Sequence, residues 1–365
     1  MKDERKNMKL VFICHGIGNG GAERVFTTIA NHISEMGHKV IIVTTNPSNN
    51  DYVLHNKIDH IEAYQESGNR ISRVLNRLKT IRKVVKEIKP DCVISFSAVC
   101  NIQALLALTL IKKKIIISER TDPSRYPESK IYKILRLVLY PKADRIVFQT
   151  RMAKEYFGKK LQKKGIIIEN PIRSNLPEPQ IVRTEKIIIG VGSLCEQKNW
   201  FVALKACELF FKKNPDYIFE IYGEGEDRDA LLEYIRDRDI LKSRVFLKGF
   251  CSTIEDKLKI AKIYISSSDY EGISNSMLEA LAMGTPVICT DCPVGGAKAM
   301  IDHKKNGILV PVGDYRSMSK ALLLLAKNDD ICQQLSREAI KVRKKYSEEI
   351  IVDTWVKLIN LVLSC

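Results

Sequence analysis

Two glutamates stand eight positions apart in the segment "SSDYEGISNSMLEALAMGTPVICTD", Glu271 and Glu279. A start signal at Ser274 or Asn275 and a stop signal at Gly284 predict a short helix that has no clearly polar face around Glu279. Such a helix is buried on nearly all sides, and a buried carboxylate is costly unless it is paired or hydrogen-bonded. Glu279 therefore needs a partner, which is either a ligand hydroxyl such as those of a ribose or an Arg, a Lys or amides of the protein itself.

Three loops after predicted strands of the second half supply further candidate groups. They are "GSLCEQKN" (192–199), "YGEGED" (222–227) and "SSSDYEGISN" (266–275). The carboxyl ends of parallel strands meet at one edge of a sheet, so side chains of these loops can converge. Lys198 offers a point charge for a diphosphate, and the amides that follow Gly272 at a helix start favour phosphate. This convergence favours a ligand as the partner of Glu279.

A further glycine loop, "GIGNGGAER" (16–24), lies between the first predicted strand and the first helix. It resembles a dinucleotide fingerprint, but "VIIVTTNPS" lacks the acidic residue that should end the second strand. We therefore do not expect NAD or FAD. Free amides at a helix start still suit an anion or a closely packed sugar.

Strands alternate with helices along the 365 residues, which predicts an α/β fold with parallel, doubly wound sheets. The pattern is interrupted by the proline-rich "PIRSNLPEPQ" (171–180) and then restarts. We expect two Rossmann-like domains that face each other across a cleft, over 8–172 and 173–345. A last helix within 346–365 could pack on either domain, including back on the first.

The net charge of +16 is concentrated in the first half of the chain. Residues 1–172 contain 31 Lys and Arg against 16 Asp and Glu, whereas 173–365 contain 28 against 27. This asymmetry predicts a polyanionic partner. The segment "SKIYKILRLVLYPK" (129–142) mixes apolar and basic residues as interfacial helices do, so we expect contact with an anionic membrane surface. No nucleic-acid-binding module is visible and aromatic residues make up 7%, so we expect no nucleic-acid partner.

Ten cysteines are scattered along the chain in the pattern of a reduced, cytosolic protein. "CTDC" (289–292) has C-x-x-C spacing but no second ligand pair, so we expect no metal site, and a redox role is the lesser alternative. The start "MKDERKNMKL" is followed by no apolar signal core, and no apolar run is long enough to span a bilayer. We expect a cytoplasmic protein, peripheral on the inner face of the membrane, without a cofactor.

The ordered set of motifs resembles the family 4 glycosyltransferases of the GT-B fold. "EGISNSMLEALAMGTPVICTD" is similar to the E-x7-E motif of that family and the stretch that follows it. "VGSLCEQKNW", "YGEGEDRDAL", "FLKGF" and "NGILVPVGD" match further blocks in order, so that the resemblance covers nearly the whole chain. "GGAERV" and "SERTDPSR" are similar to segments of enzymes that extend lipid-linked oligosaccharides or build bacterial surface polysaccharides.

The resemblance implies a retaining transferase that moves a hexose or N-acetylhexosamine from a nucleotide diphosphate sugar, with UDP favoured over GDP, to a lipid-linked glycan. Glu271 beside the sugar and Lys198 at the leaving diphosphate would be catalytic, and no metal ion would be needed. The residues that would bind the donor are Glu279 at the ribose, Gly272, Ile273, Ser274, Ser193, Gly223 and Glu224. The acceptor would lie near Gly20, Gly21 and Arg120 of the first domain.

Two positions depart from the family pattern. Ser193 stands where the family usually has an Arg, so one diphosphate contact is missing. Glu119, Arg120 and Asp122 lie in a loop where many relatives have a histidine. Arg120 could replace the charge missing at Ser193, or it could bind an acceptor diphosphate. Two other functions use the same nucleotide pocket: a sugar-nucleotide epimerase of the same fold, and a binding protein with a degenerate site.

Overall fold

The computed structural model describes residues 7–18, 20–47, 52–64 and 68–365, which form two compact units. The first unit is Met1–Pro171 with Glu348–Cys365, and the second is Ile172–Ser347. Each unit contains one parallel sheet with helices between most of its successive strands. The predicted α/β class with two doubly wound sheets is therefore confirmed.

The sheet of the first unit has seven strands. They are β1 (Lys9–Cys14), β2 (Lys39–Thr44), β3 (Asp59–Glu62), β4 (Cys92–Phe96), β5 (Lys114–Ser118), β6 (Arg145–Phe148) and β7 (Gly165–Ile167). The strand order is β3-β2-β1-β4-β5-β6-β7. The helices between them are α1 (Gly21–Glu35), α2 (Arg70–Ile88), α3 (Ala98–Ala107), α4 (Lys130–Leu139), α5 (Arg151–Glu155) and α6 (Lys159–Gln162).

The apolar sequences of the central strands explain why this sheet is parallel. All five residues of β4 are buried, as are the last five of β1 and of β2, whereas the edge strand β3 has no fully buried residue. A strand that is apolar on both faces needs helices on both faces, which is the arrangement that parallel crossovers supply.

The sheet of the second unit has six strands. They are β8 (Ile187–Val191), β9 (Ile218–Tyr222), β10 (Val245–Gly249), β11 (Ile263–Ser266), β12 (Val287–Thr290) and β13 (Ile308–Val310), in the order β10-β9-β8-β11-β12-β13. Its helices are α7 (Trp200–Phe211), α8 (Arg228–Arg236), α9 (Asp239–Lys242), α10 (Ile254–Ile260), α11 (Asn275–Ala282), α12 (Gly296–Met300), α13 (Tyr315–Lys327), α14 (Asp329–Ala339) and α15 (Val342–Lys345). The strand order reverses next to β8, and ligands of open α/β sheets bind outside the carboxyl ends of strands at such a switch point.

The last helix, α16 (Glu348–Ser364), belongs to the first unit, where it packs on α1 and β5. Its Trp355 is fully buried and stacks on Phe96 of β4, with the ring centroids 5.3 Å apart. Phe96 in turn meets Phe26 of α1 edge to face, with the ring centroids 5.2 Å apart. The C-terminal segment of the chain therefore completes the core of the first unit.

Replacement of Trp355 by Ala should destabilise the first unit by about 3–5 kcal/mol, because the core cannot refill the volume of a fully buried indole. Denaturant unfolding followed by circular dichroism measures the effect. Leu361→Ala is the matched control, since Leu361 lies on the same helix and is 46% exposed. Equal unfolding midpoints for the two variants would contradict the placement of α16 in the core.

Candidate functional site

Three loops of the second unit meet at the carboxyl edge of its sheet. They follow β8, β9 and β11, which are neighbours in the strand order, so the convergence that the sequence predicts is present. The loop after β8 is also bound directly to the loop after β11: Gln197 donates a side-chain hydrogen bond to the carbonyl of Tyr270 (2.9 Å). The amide of Asp269 donates to the carbonyl of Gln197 at the same distance, 2.9 Å.

Lys198 and Glu271 form an ion pair at this edge. Lys198 Nζ lies 2.5 Å from Glu271 Oε1, and the two side chains are only 13% and 18% exposed. The second carboxylate oxygen accepts a hydrogen bond from Ser268 Oγ at 2.8 Å. The two predicted catalytic groups, Lys198 and Glu271, are thus ion-paired with each other. The pair places a cation and a carboxylate side by side in a position that is largely shielded from solvent.

The backbone explains why Lys198 points to this edge. It ends a single 3₁₀ turn, Glu196–Lys198, and the left-handed conformation of Asn199 (φ 42°) then starts α7. Asn199 Nδ2 donates to Asp269 Oδ1 at 2.9 Å, and Ser267 Oγ donates to the carbonyl of Lys198 at 2.8 Å. These bonds to the loop after β11 set the direction of the lysine side chain.

The segment Gly272–Ser274 leads into α11 at the same edge. Ser274 caps the helix by accepting a hydrogen bond from the amide of Met277. The backbone of Gly272 and Ile273 rests directly on Gly296, the first residue of α12. A Cβ at position 296 would stand 1.7 Å from the carbonyl oxygen of Gly272, so only glycine permits this approach.

The loop after β9 contributes backbone rather than charge. Gly223 lies against the carbonyl of Gly192, which a Cβ at position 223 would meet at 2.0 Å. The carbonyl of Glu224 accepts a hydrogen bond from the amide of Leu194 (2.9 Å), while its exposed carboxylate pairs with Arg228 (3.2 Å). The structure therefore brings Gly223 and the backbone of Glu224 to the site but leaves the Glu224 side chain on the surface.

Ser193 is exposed, and its contact within the site is made by its carbonyl, which accepts a hydrogen bond from the indole of Trp200 (2.9 Å). Ser193 itself brings no charge to the position where the family usually has an arginine. Lys198 is therefore the cation of this loop at the site.

Glu279 is 1% exposed, as the apolar helix predicts. Its Oε1 accepts a hydrogen bond from Arg173 Nε at 2.9 Å, and Arg173 Nη2 also contacts Glu255 Oε2 at 3.0 Å. The sequence predicts either a ligand or an internal cation as the partner of Glu279, and the structure contains an internal arginine. Arg173 stands in the proline-rich segment that otherwise only marks the domain boundary, and no local pattern joins it to a residue 106 positions away.

The predicted acceptor residues lie in the first unit, after β1 and β5, which are separated by β4. Gly20 caps α1 and Gly21 is its first residue. The Glu23 side chain folds back over Gly20, where a Cβ would meet Glu23 Oε2 at 1.9 Å. Asn19 of the same loop lies outside the described residues.

Arg120 is 6% exposed, and its guanidinium lies against two aromatic rings, 4.5 Å from the centroid of Phe96 and 5.7 Å from that of Trp355. Its Nη1 donates to Asn170 Oδ1 at 3.2 Å, whereas Nε and Nη2 have no hydrogen-bond partner within the described ranges. Burial lowers the pKa of Arg120 to about 9, so the side chain remains a cation at neutral pH. The guanidinium is thus a buried cation that lacks an anionic partner in the part of the chain that the structure describes.

The two acidic residues beside Arg120 accept hydrogen bonds from other residues of the first unit. Glu119 accepts a hydrogen bond from the hydroxyl of Tyr140, and burial raises the pKa of the Glu119 carboxyl to about 6. Asp122 Oδ1 accepts from the amide of Ser124 at 2.8 Å and from its hydroxyl at 2.6 Å. Glu119 Oε2 is buried without a hydrogen-bond partner among the described residues, as are Nε and Nη2 of Arg120, so these two residues of the loop have hydrogen-bonding capacity to spare.

The C-x-x-C pair gives no support to a redox role. Cys289 and Cys292 are both buried, and burial raises the pKa of Cys292 to about 11 and that of Cys289 further. Both thiols are protonated at neutral pH, whereas reactive cysteines need thiolate character. Among the described residues no group of three or more His, Cys, Asp or Glu side chains could hold a metal ion.

Two family models match the chain, and together they span residues 19–342. The model described as "Glycosyltransferase Family 4" matches 19–175, and "Glycosyl transferases group 1" matches 172–342. The chain belongs to the family 4 glycosyltransferases. Members of this family retain the anomeric configuration of the transferred sugar, so the protein is a retaining glycosyltransferase.

Two relatives that align with this chain over nearly their whole length are named for the sugar that they transfer and for their acceptor. A Campylobacter jejuni enzyme named GalNAc-α-(1→4)-GalNAc-α-(1→3)-diNAcBac-PP-undecaprenol α-1,4-N-acetyl-D-galactosaminyltransferase is 27% identical over 359 residues, which are 96% of this chain and 98% of that enzyme. The N-acetylgalactosamine-N,N'-diacetylbacillosaminyl-diphospho-undecaprenol 4-α-N-acetylgalactosaminyltransferase of the same organism is 28% identical over 359 residues, 94% of this chain and 96% of that enzyme.

Solved structures establish the GT-B architecture. Anabaena HepE, solved in complex with UDP and glucose, superimposes with a TM-score of 0.82 at 14% identity, covering 97% of this chain and 99% of HepE. At this identity the likeness concerns the fold, which is the GT-B fold that the sequence motifs predict.

Replacement of Gly296 by Ala should disturb the Gly272–Ile273 backbone, because the new methyl group would overlap the Gly272 carbonyl. A displacement of about 1 Å in a positioned reactant can cost on the order of 100-fold in rate, so we expect kcat/KM for the sugar donor to fall by about that factor. Gly158→Ala is the control, since a Cβ at position 158 meets nothing within 4 Å. Wild-type kcat/KM in a folded Gly296→Ala protein would contradict a role of this backbone in the site.

Proposed function

We propose that the protein transfers a hexose or N-acetylhexosamine, with retention, from a UDP-sugar to a lipid-linked glycan in bacterial polysaccharide or oligosaccharide biosynthesis. The observation that carries this proposal is the juxtaposition of the Lys198–Glu271 pair and the Gly272–Ser274 backbone at one switch point, with the buried Glu279 one helix turn further on. The two Campylobacter jejuni relatives are named for undecaprenyl-diphosphate-linked acceptors, which supports the acceptor class.

In the proposed donor complex, Lys198 binds the diphosphate together with the amides at the start of α11. Negative charge develops on the diphosphate as the bond to the sugar breaks, and a prepositioned ammonium group and helix amides stabilise that charge without reorganising. Because Ser193 brings no charge, Lys198 carries this task without the usual arginine. The complex of HepE with UDP supports a UDP donor.

Glu271 and Glu279 have different tasks in this proposal. Glu271 contacts Lys198 and accepts a hydrogen bond from Ser268. We propose that its carboxylate lies next to the bond that breaks and faces the sugar. Glu279 accepts hydrogen bonds from the ribose hydroxyls. An ionised carboxylate accepts about four hydrogen bonds, which suits a pair of vicinal hydroxyls.

We propose that the acceptor binds the first unit near Gly20, Gly21 and Arg120. A guanidinium with two unpartnered nitrogen atoms among the described residues, stacked on Phe96 and Trp355, suits a phosphate oxygen of the acceptor diphosphate. The positive charge of Arg120 also agrees with the excess of basic over acidic residues in 1–172.

The direct test is release of nucleotide from a panel of UDP- and GDP-sugars, with and without an undecaprenyl-diphosphate glycan in detergent. We expect release to require one UDP-sugar and the acceptor together. A sugar changed without an acceptor would favour the epimerase, and an intact donor with every acceptor would favour a binding protein.

Glu279→Ala should weaken UDP binding by about 10–100-fold, because hydrogen bonds to a charged group contribute about 1.5–3 kcal/mol. Titration calorimetry with UDP measures this effect. Asp216→Ala is the control: Asp216 is an exposed carboxylate that precedes β9, at the opposite edge of the sheet. An unchanged dissociation constant in a folded Glu279→Ala protein would overturn the ribose assignment.

We infer that the first unit contacts an anionic membrane surface through α4. Four apolar residues on one face of this helix are 61–68% exposed: Ile131, Ile134, Leu137 and Val138. Exposed lysines flank that face at positions 130 and 142. Apolar residues in a plane with basic residues beside them are typical of interfacial helices. Within the described ranges no helix combines the length and apolar character that crossing a membrane requires.

Replacement of both Ile134 and Leu137 by Asp should reduce binding to vesicles that contain phosphatidylglycerol by about 10-fold or more, since each buried aliphatic side chain contributes about 1.5–3 kcal/mol. Sedimentation with vesicles of stated phosphatidylglycerol content measures the bound fraction. Val312→Asp is the control, since Val312 is a 40% exposed apolar residue of the second unit. Equal sedimentation of the double variant and wild type would contradict the role of α4.

A further inference from the structure

Arg173 is a charged residue that has no role in the donor complex proposed for this protein. It is the second residue of the second unit, after Ile172. The amide of Ile172 donates to the carbonyl of Tyr346 at 2.7 Å, and Ile172 pairs with Ser347 in an isolated parallel bridge. The contacts of Ile172 hold the backbone just before Arg173 in place, and they thereby fix the position of the Arg173 Cα atom.

The guanidinium of Arg173 binds two carboxylates from two helices. Nε lies 2.9 Å from Glu279 Oε1 on α11, and Nη2 lies 3.0 Å from Glu255 Oε2 on α10. The exposed fractions of the side chains are 23% for Arg173, 16% for Glu255 and 2% for Glu279. Partial burial makes these contacts stronger than surface ion pairs, and the planar guanidinium fixes the direction of each bond.

We propose that Arg173 is a positioning residue for donor binding, which orients the Glu279 carboxylate towards the ribose hydroxyls and is itself held by Glu255. The inference rests on the proposed ribose role of Glu279. A carboxylate accepts about four hydrogen bonds, so contact with Arg173 and contact with a ribose are compatible on one group. The arginine touches the carboxylate and not the reacting atoms.

This arrangement predicts an effect on donor affinity and not on the chemical step. The ribose is remote from the bond that breaks, so Glu279 binds it equally in the ground state and in the transition state. Loss of such uniform binding raises KM and leaves kcat unchanged. Removal of Arg173 also takes away the cation that binds the buried Glu279 carboxylate, so the arginine no longer fixes the orientation of that carboxylate.

We expect Arg173→Met to raise the KM for the UDP-sugar and the dissociation constant for UDP by about 10–100-fold, with kcat within about 3-fold of wild type. Arg173→Lys keeps the charge but lacks the fork, so its KM should lie between those of Arg173→Met and wild type. Glu255→Gln removes the negative charge that holds Arg173 from α10 and should raise KM less than Arg173→Met does. Initial-rate kinetics and UDP calorimetry measure these values.

Arg238→Met is the matched control. Arg238 forms a partly buried pair with Glu208 in the last turn of α7 (3.7 Å), which lies away from the carboxyl edge of the sheet. We expect wild-type KM for this variant. Wild-type KM in folded Arg173→Met, or a fall in kcat with KM unchanged, would overturn the proposal. If Arg173→Met does not fold, Arg173→Lys and Glu255→Gln carry the test, and wild-type KM in both overturns it.

The Glu279→Ala variant separates this inference from the proposed function. Unchanged UDP affinity in Glu279→Ala overturns the ribose assignment and the role of Arg173 with it. Weakened affinity in Glu279→Ala with wild-type affinity in Arg173→Met overturns the role of Arg173 alone. If both roles are right, the double variant Arg173→Met/Glu279→Ala should bind UDP no more weakly than Glu279→Ala does, because the arginine acts through the carboxylate.

Discussion

A carboxylate buried in an apolar helix sets the main constraint on the second unit. Glu279 is 1% exposed on α11, and a charge in that position is tolerated only with a partner. Arg173 supplies the positive charge, and Glu255 holds Arg173 from α10. This ion-pair cluster ties the start of the second unit to the two helices beside the carboxyl edge of its sheet. In the function that we propose, the same ion pair orients the Glu279 carboxylate towards the ribose of the donor.

The rest of the site is built from close backbone contacts. Gly296 lets the Gly272–Ile273 segment approach α12, and Gly223 lets the loop after β9 approach Gly192. Lys198 is then aimed by hydrogen bonds between the loops after β8 and β11, and it meets Glu271 there. In GT-B enzymes without a metal, charge on the leaving group has to be met by groups of the protein. A fixed lysine beside helix amides is a physical way to do so.

The sequence was sufficient to predict the architecture and the convergence of the loops. Both follow from local patterns, since alternating strands and helices imply parallel sheets and parallel strands end at a common edge. The partner of Glu279 could not be chosen in this way: Arg173 is 106 positions away, and nothing in "PIRSNLPEPQ" distinguishes an ion-pair partner from a linker residue. The stacking of Arg120 on Trp355 was hidden for the same reason, because it joins a loop after β5 to the C-terminal helix.

The most direct test of the account is a crystal structure of the protein with UDP. The account predicts both ribose hydroxyls within hydrogen-bond distance of the Glu279 carboxylate, Arg173 still bound to that carboxylate, and the distal phosphate within reach of Lys198 Nζ and the amides of Gly272–Ser274. UDP bound elsewhere, or a ribose that makes no contact with Glu279, would contradict it.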